Sequence, residues 1–310
     1  MAFEEVGPLG HTTRGIARGR RGQDHEQGDM RVAERQRSAG CCLICAPSGP
    51  PQAGQRQRYP TVTTQADLKR IRALQQRKGR DEQGLFLVQG PKLVAELRRS
   101  QWPVEAIYAT ARAAEEHVIR EAIILPDHEV ERLGTLESGN VLVAVVRQPS
   151  DAPLHVPSAN ELVLALDGIN DPGNLGTVLR IADWFGIGRV ICTPKSVERF
   201  NPKCVQATMG ALFRVQVAYA ELPPLLAEWQ AAGTALYLAS MEGANVFTTG
   251  LRRPAVLVLG SESHGISEAV RSLNAELIGI PQVGAGESLN VATAASALCM
   301  EFTRQAGTTL

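Results

Sequence analysis

The side chains able to do chemistry in this 310-residue chain gather in three glycine-rich loops of its second half. The first runs from Asp167 to Gly176 and leads into a helix that carries Arg180. Gly and Pro shape this loop, and Asn174 is placed to cap the helix. The second follows the apolar run Leu257-Val258-Leu259. It begins at Gly260, where backbone can approach a ligand closely, continues through Ser261 and Glu262, and contains His264, which reads as loop structure. The third runs from Ile280 through Gln282, Gly284 and Ser288 into a helix of small residues, Ala292, Ala294, Ala295 and Ala297 among them. Ser288 is expected as the N-cap of that helix, with Asn290 projecting from its first turn. The helix is suited to close packing on its own sheet or on a second subunit. No His or Cys stands at the spacing of a nucleophile or a metal site. No G-x-G-x-x-G occurs anywhere, which disfavours a nucleotide-dependent oxidoreductase. Chemistry on amides, hydroxyls, one carboxylate and one guanidinium must rest on placement and electrostatics.

The surrounding pattern alternates strand and helix. Strands are expected at Leu162–Leu166, Arg189–Cys192, Arg214–Val217, Ala235–Ala239, Ala255–Leu259 and Glu276–Ile280. Helices are expected at Leu175–Phe185, Pro202–Met209, Leu225–Ala232 and Ser288–Arg304. This order indicates an α/β domain over residues 159–310 with a mainly parallel sheet. Ligands of such sheets bind beyond the carboxyl ends of the strands, where the loops after Leu166, Leu259 and Ile280 lie.

Residues 61–148 read as a small α/β domain. Leu68, Ile71 and Leu74 have helical spacing within Ala66–Lys78. Strands are expected at Gly84–Val88, Ala106–Ala109 and Val141–Val146, with a helix over Pro91–Ser100. Residues 149–158 hold three prolines and read as a linker. Residues 1–60 are rich in Gly, Arg, Gln and Pro. They are expected to be disordered, or an upstream extension with the folded protein starting near Thr61. Their Cys41, Cys42 and Cys45 lack the second ligand pair that zinc requires.

Composition narrows the class further. A hydrophobic share of 44% excludes disorder of the whole chain. No apolar run approaches the roughly 18 residues of a membrane-spanning helix, and the N-terminus shows no secretory signal. The six cysteines are distributed unlike a disulfide framework, which fits a reducing cytoplasm. The 32 basic and 32 acidic residues cancel overall but not locally. Residues 61–100 hold nine basic against four acidic side chains, residues 101–150 four against eight, and residues 151–310 ten against fourteen. Lys69, Arg70, Arg72, Arg77, Lys78 and Arg80 form a patch that a polyanion would meet first. A solvated helix face is the alternative reading of the same residues.

Together the three loops resemble the signature motifs of the SPOUT superfamily of RNA methyltransferases. The closest resemblance is to its SpoU/TrmH branch, which methylates ribose 2′-hydroxyls. The matching order is an Asn-x-Gly loop with an Arg-bearing helix, then Leu-Gly-x-Glu-x-x-Gly, then Ile-Pro-x-x-Gly-x-x-Ser-Leu-Asn-Val-Ala. The segment from Phe86 to Lys92 resembles the ribosomal-protein-like substrate-binding domain that precedes the catalytic one. The resemblance implies a C-terminal α/β knot, a deep trefoil knot with a mainly parallel sheet, and a homodimer whose subunits complete each other's sites. It implies S-adenosyl-L-methionine as cofactor, bordered by Leu259, Gly260, Ser261, Ile280, Gly284 and Leu289. It implies a catalytic group of Asn174, Arg180, Glu262, Ser288 and Asn290, with Glu262 orienting Arg180 and no metal. Structured RNA is the expected partner, 23S ribosomal RNA ahead of transfer RNA. Methylation of a base and an inactive RNA-binding protein are the competing readings. The intact Ser-Leu-Asn motif argues against the first, and retention of the whole catalytic group against the second.

Overall fold

Strand residues that alternate between two apolar environments divide this chain into layers. The computed structural model describes residues 63–136, 139–150 and 153–307. The expectations for residues 1–60, with Cys41, Cys42 and Cys45, lie outside them.

The first half runs α1 (Gln65–Ala73), α2 (Arg77–Gln83), β1 (Leu85–Gln89), α3 (Pro91–Arg99), β2 (Val104–Ala109), α4 (Ala111–Glu116), β3 (Ile123–Ile124), α5 (Asp127–Leu133) and β4 (Leu142–Arg147). Its four strands form one sheet in the order β1-β4-β2-β3, with β4 antiparallel to both β1 and β2. Leu85 and Leu87 of β1 face Leu68, Ile71 and Leu74. Phe86 and Val88 face the other way, toward Leu93 and Leu97 of α3. This is the period of two expected of a pleated strand.

The expected helix over Ala66–Lys78 is two helices. α1 starts at a capping box in which Thr64 and Asp67 bond each other reciprocally. It ends at the buried Leu74, and Gln76 is extended before α2 begins. Gly79 lies so close to α1 that a Cβ there would sit 2.1 Å from the Ala73 carbonyl oxygen. The arginine-rich composition of this stretch hides the break, because no Pro or Gly precedes it.

The second half runs β5 (Leu162–Asp167), α6 (Pro172–Trp184), β6 (Arg189–Cys192), α7 (Pro202–Thr208), β7 (Gln216–Tyr219), α8 (Leu222–Ala231), β8 (Ala235–Asn245), β9 (Ala255–Gly260), α9 (Glu268–Arg271), β10 (Glu276–Gly279) and α10 (Val291–Gln305). The six strands are all parallel, in the order β10-β8-β9-β5-β6-β7. The central strands are buried on both faces, as helices on either side require. Val163 and Ala165 of β5 and Val256 and Val258 of β9 pack with Leu226 and Trp229 of α8. Leu164, Leu166, Leu257 and Leu259 pack on the other face with Val178 of α6 and Leu298 of α10. That second core is continuous with Phe86, Val88 and Ile107 of the first sheet. The Phe86 and Phe200 rings, one from each half, lie 4.6 Å apart.

In this six-stranded sheet two strands differ from expectation by more than one residue. β7 begins at Gln216, because Ala211–Phe213 forms a 3₁₀ turn. Arg214, expected in the strand, instead reaches outward to Asp183 and Glu96. β8 continues past Ala239 to Asn245 beside β10, across a register shift. Gly243 and Gly279 make this passage possible: a Cβ on either would come within 2.4 or 2.5 Å of the opposing backbone.

Gly176 permits a similar approach between α6 and α7. A Cβ there would lie 2.5 Å from Ala207 Cβ and 2.6 Å from the Cys204 carbonyl. Gly176→Ala is therefore expected to cost about 1–3 kcal/mol through overpacking. Urea denaturation measures this, and an unchanged midpoint would contradict the close packing.

The end of α10 is pinned to the turn after β8. Gln305 donates to the Thr249 carbonyl at 3.0 Å and accepts from the Leu251 N–H at 2.9 Å. It also donates to Glu301, a residue 2% exposed whose carboxylate accepts from Arg304 at 2.6 and 2.8 Å. The Arg304 bonds, then the Gln305 bond, hold the Glu301 carboxyl at about 2. A depressed carboxylate stabilises the fold above its unfolded value and loses that contribution as pH falls through the folded one. The melting-temperature gap between wild type and Glu301→Gln is thus expected to shrink from about pH 5 to about pH 2. A constant gap would contradict this assignment.

Candidate active site

Three loops emerge at the carboxyl ends of β5, β9 and β10. Asp167, the last residue of β5, pairs with Gly260, the last of β9. The Asp167 carboxylate accepts from the Ser267 N–H at 2.8 Å and so ties the first loop to the second. The second loop is a tight hairpin closed by Ser261 and Gly265, which exchange backbone bonds of 3.1 and 2.8 Å. Gly260 is required there, since a Cβ would fall 2.2 Å from the Gly265 carbonyl carbon. His264 belongs to this hairpin, with its N–H bonded to Ser261 Oγ and its Nδ1 to Ser263 Oγ.

The helix caps differ from expectation at both asparagines. Asp171, followed by Pro172 at the first helical position, caps α6 and accepts from the Asn174 N–H at 2.7 Å. Asn174 is therefore inside the helix, and its side chain is free to point at the site. Asn290, not Ser288, caps α10: its Oδ1 accepts from Ala292 and Thr293. Capping fixes the amide orientation, because the oxygen is committed to backbone donors and Nδ2 must donate elsewhere.

Nδ2 of Asn290 donates to Asn174 Oδ1 at 3.0 Å and to Glu262 Oε1 at 2.9 Å. Asn174 Nδ2 donates to the same Glu262 oxygen at 2.7 Å. One residue from each loop thus closes a ring in which every amide role is determined. Glu262 and Asn290 remain exposed to solvent.

Arg180 and Ser288 are not brought into this ring. Both are exposed, and among the described residues neither side chain has a hydrogen bond or ion pair. Arg180 stands six residues beyond Asn174 on α6, which turns it about 120° away around the helix axis. The expected contact between Glu262 and Arg180 is replaced by the bonds from Asn174 and Asn290.

The third loop is open. Residues 281–290 are all exposed, Val283 almost completely and Leu289 by half. Among the described residues, 282–289 donate no backbone hydrogen bond. Nothing lies within 4 Å of a Cβ built on Gly284 or Gly286. Gln282 spans the turn, donating to the Gly284 and Gly286 carbonyls at 2.9 and 2.5 Å. Free backbone groups beside exposed aliphatic side chains suit a ligand with an aromatic base and polar edges. Leu259 lies beneath in the core, while Ser261 and Ile280 are half-buried at the rim.

The basic patch divides in two. Lys69, Arg70, Arg77 and Lys78 are exposed, the last two in loose pairs with Asp81 and Glu82 at 3.5 and 3.8 Å. Such pairs exchange readily with solvent or phosphate. Arg72 is half-buried against Glu129 at 2.5 Å. Arg80 is 2% exposed and bonded on all sides, so it is an interior residue and offers nothing to RNA. Among the described residues no group of three His, Cys, Asp or Glu is placed to hold a metal ion.

Sequence comparison matches residues 161–300 to the SpoU rRNA methylase family and residues 65–141 to the MRM3-like substrate-binding domain. A TrmH-family structure from Porphyromonas gingivalis superposes with a TM-score of 0.71 at 36% identity, covering 79% of this chain and 99% of that one. The chain belongs to the SpoU rRNA methylase family. A further SpoU methyltransferase structure, AviRb of Streptomyces viridochromogenes in complex with AdoMet, matches with a TM-score of 0.70 at 28% identity. It covers 78% of this chain and 98% of its own. A 23S rRNA uridine 2′-O-methyltransferase of the same organism is 29% identical over 246 residues, 74% of this chain and 86% of its own. Family membership agrees with the resemblance read from the three motifs. The α/β fold with a mainly parallel sheet and a preceding substrate-binding domain holds as well.

Sequence reasoning assigns no role to Asp167 or Asp171. The Asp-Pro step at 171–172 is an N-cap signal that identifies Asp171. Asp167 acts through a bond to Ser267, 100 residues away, that no local pattern encodes.

Proposed function

We propose that this chain is an S-adenosyl-L-methionine-dependent RNA methyltransferase that transfers a methyl group to a ribose 2′-hydroxyl, with 23S ribosomal RNA as its substrate. The observation that carries this reading is the ring of Asn174, Glu262 and Asn290 beside an open third loop, in a chain of the SpoU family.

The cofactor fits the residues present. Leu259, Ile280 and Leu289 would border its adenine, and backbone around Gly260, Ser261 and Gly284 would meet its polar groups. S-adenosyl-L-methionine, when bound, supplies an electrophilic methyl on a sulfonium. The chain's own residues then have to place the hydroxyl oxygen and provide for its proton. The amide ring fixes Asn290 and Glu262 at the edge where a ribose would lie. Arg180 carries only donors and offers no acceptor. Its role in this reading is to hold the phosphate next to the target ribose, while water or that phosphate takes the proton. Ser288, on the same loop as Asn290, adds a hydroxyl to the ribose contacts.

Arg180 lies off the ring of its own chain, which supports a homodimer in which a second copy completes the site. Trp184 on α6 and Met300 on α10 are also exposed apolar groups on two helices that pack together. The close passages at Gly243, Gly260 and Gly279 support the trefoil knot over residues 159–310. Residues 61–148 form the RNA-binding domain in this reading, with Lys69, Arg70, Arg77 and Lys78 meeting phosphates; such contacts position without specifying sequence. The cytoplasm is the compartment proposed. Free, buried Cys192, Cys204 and Cys299 fit reducing conditions, and burial pushes the Cys192 and Cys299 thiols up to about 12.

Mapping ribose methylation in RNA from cells with and without the gene tests the substrate. Loss of one methylated position in 23S ribosomal RNA is expected. Loss confined to a transfer RNA would move the assignment to the tRNA branch, and loss of none would favour an RNA-binding homologue.

A further inference from the structure

Arg80 was expected at the RNA and lies instead between the two halves of the molecule. Its Nε and Nη2 donate to the two carboxylate oxygens of Glu198 at 2.8 and 2.6 Å. Its Nη1 donates to the Leu74 and Gln75 carbonyls, at 2.9 and 3.1 Å, where α1 ends. A cation suits the carbonyl end of a helix. One side chain therefore holds α1, α2 and Glu198 together, on the same helix that displays Arg77 and Lys78.

Glu198 belongs to the 193–201 loop after β6, and that loop grips the start of the first active-site loop. Thr193 Oγ1 accepts from the Gly168 N–H at 2.8 Å, and Ser196 Oγ from the Ile169 N–H at 3.2 Å. The Val197 N–H donates to the Ile169 carbonyl at 2.8 Å. Tyr219 braces the same loop, accepting from the Arg199 N–H and donating to the Val197 carbonyl at 2.7 and 2.8 Å. A path of polar bonds, joined through the backbone of residues 196–198, thus runs from the basic helix to Gly168 and Ile169, and along the backbone to Asn174.

We propose that Arg80 and Glu198 are positioning residues for methyl transfer: their buried ion pair locks the RNA-docking helix α2 to the loop that holds Gly168 and Ile169, so that bound RNA meets Asn174, Glu262 and Asn290 in register. The proposal rests on the RNA methyltransferase reading. It assigns to the pair an effect on the bound complex rather than on RNA affinity. Lysine at position 80 cannot reproduce the two-pronged grip on a carboxylate.

Removing one partner leaves a buried charge and endangers folding, whereas an apolar pair of similar size is commonly tolerated. The test therefore compares wild type, Arg80→Lys, and the double variant Arg80→Met with Glu198→Leu. The readouts are the single-turnover rate, the RNA dissociation constant and hydrogen exchange over residues 168–174. Expected for the folded double variant are a rate lowered about tenfold to a hundredfold, RNA affinity within about threefold, and faster exchange over 168–174. Arg80→Lys is expected to be slowed in the same direction. A folded double variant with wild-type rate would overturn the proposal. So would a loss confined to RNA affinity, which would make the pair part of docking alone. Inactive wild type on ribosomal RNA would overturn the functional reading itself, and the proposal with it.

Discussion

Arg180→Ala is expected to lower methyl transfer by about a hundredfold to a thousandfold while leaving the fold and cofactor affinity intact. The guanidinium is exposed on α6, and among the described residues it has no bonded partner whose loss would disturb the structure. In the proposed reading its removal deletes a charge that acts only on bound RNA. Arg180→Lys separates the two roles the residue could have. A guanidinium that grips a phosphate with two parallel donors is poorly replaced by an ammonium. The lysine variant is therefore expected to stay slow while still binding RNA within a few-fold of wild type. Substantial activity with a displaced pH–rate profile would instead identify position 180 as the base. Single-turnover kinetics across pH, with RNA binding measured in parallel, decides between them.

Glu262→Ala carries the second large effect. Glu262 Oε1 is the shared acceptor of Asn174 and Asn290, so its loss leaves the Asn174 amide donor without a partner and Asn290 with Asn174 alone. Asn174 is then held only through the bond its Oδ1 accepts from Asn290, and the edge proposed to meet the ribose loses its shape. A fall of about a hundredfold in kcat is expected. α10 should remain capped, because Asn290 Oδ1 bonds Ala292 and Thr293 independently of Glu262. Circular dichroism and thermal denaturation should accordingly change little. Glu262→Gln keeps one oxygen acceptor and is expected to fall between wild type and alanine. An alanine variant with nearly wild-type kcat would show that the ring does not organise the reaction.

The parts of this molecule legible in its sequence are those set by local periodicity. The strands Arg189–Cys192 and Ala255–Gly260 stand out as short apolar runs, because buried parallel strands need little else. The three loops were legible because glycine and proline mark where backbone must turn or approach closely. What escaped was set by bonds between distant segments. Nothing local distinguishes Arg80 from Arg77, yet one is buried on Glu198, 118 residues away, and the other is exposed. The caps were misplaced for a related reason. Asp171 and Asn174 are both good N-cap residues, as are Ser288 and Asn290, and only the path of the chain into each helix selects between them. The extension of β8 to Asn245 was hidden because Met241 and Glu242 are exposed, so the pattern resembles a loop.

The most direct test of the whole account is methyl transfer by the purified protein. Labelled S-adenosyl-L-methionine is supplied with ribosomal RNA that lacks the modification, and the RNA is then hydrolysed in alkali. Methylation of a ribose hydroxyl blocks cleavage at that linkage. The expected result is label in one alkali-resistant dinucleotide of 23S ribosomal RNA, lost with Arg180→Ala and strongly reduced with Glu262→Ala. Label released as a methylated base within ordinary mononucleotides, or no transfer to any RNA by a protein that binds the cofactor, would contradict it.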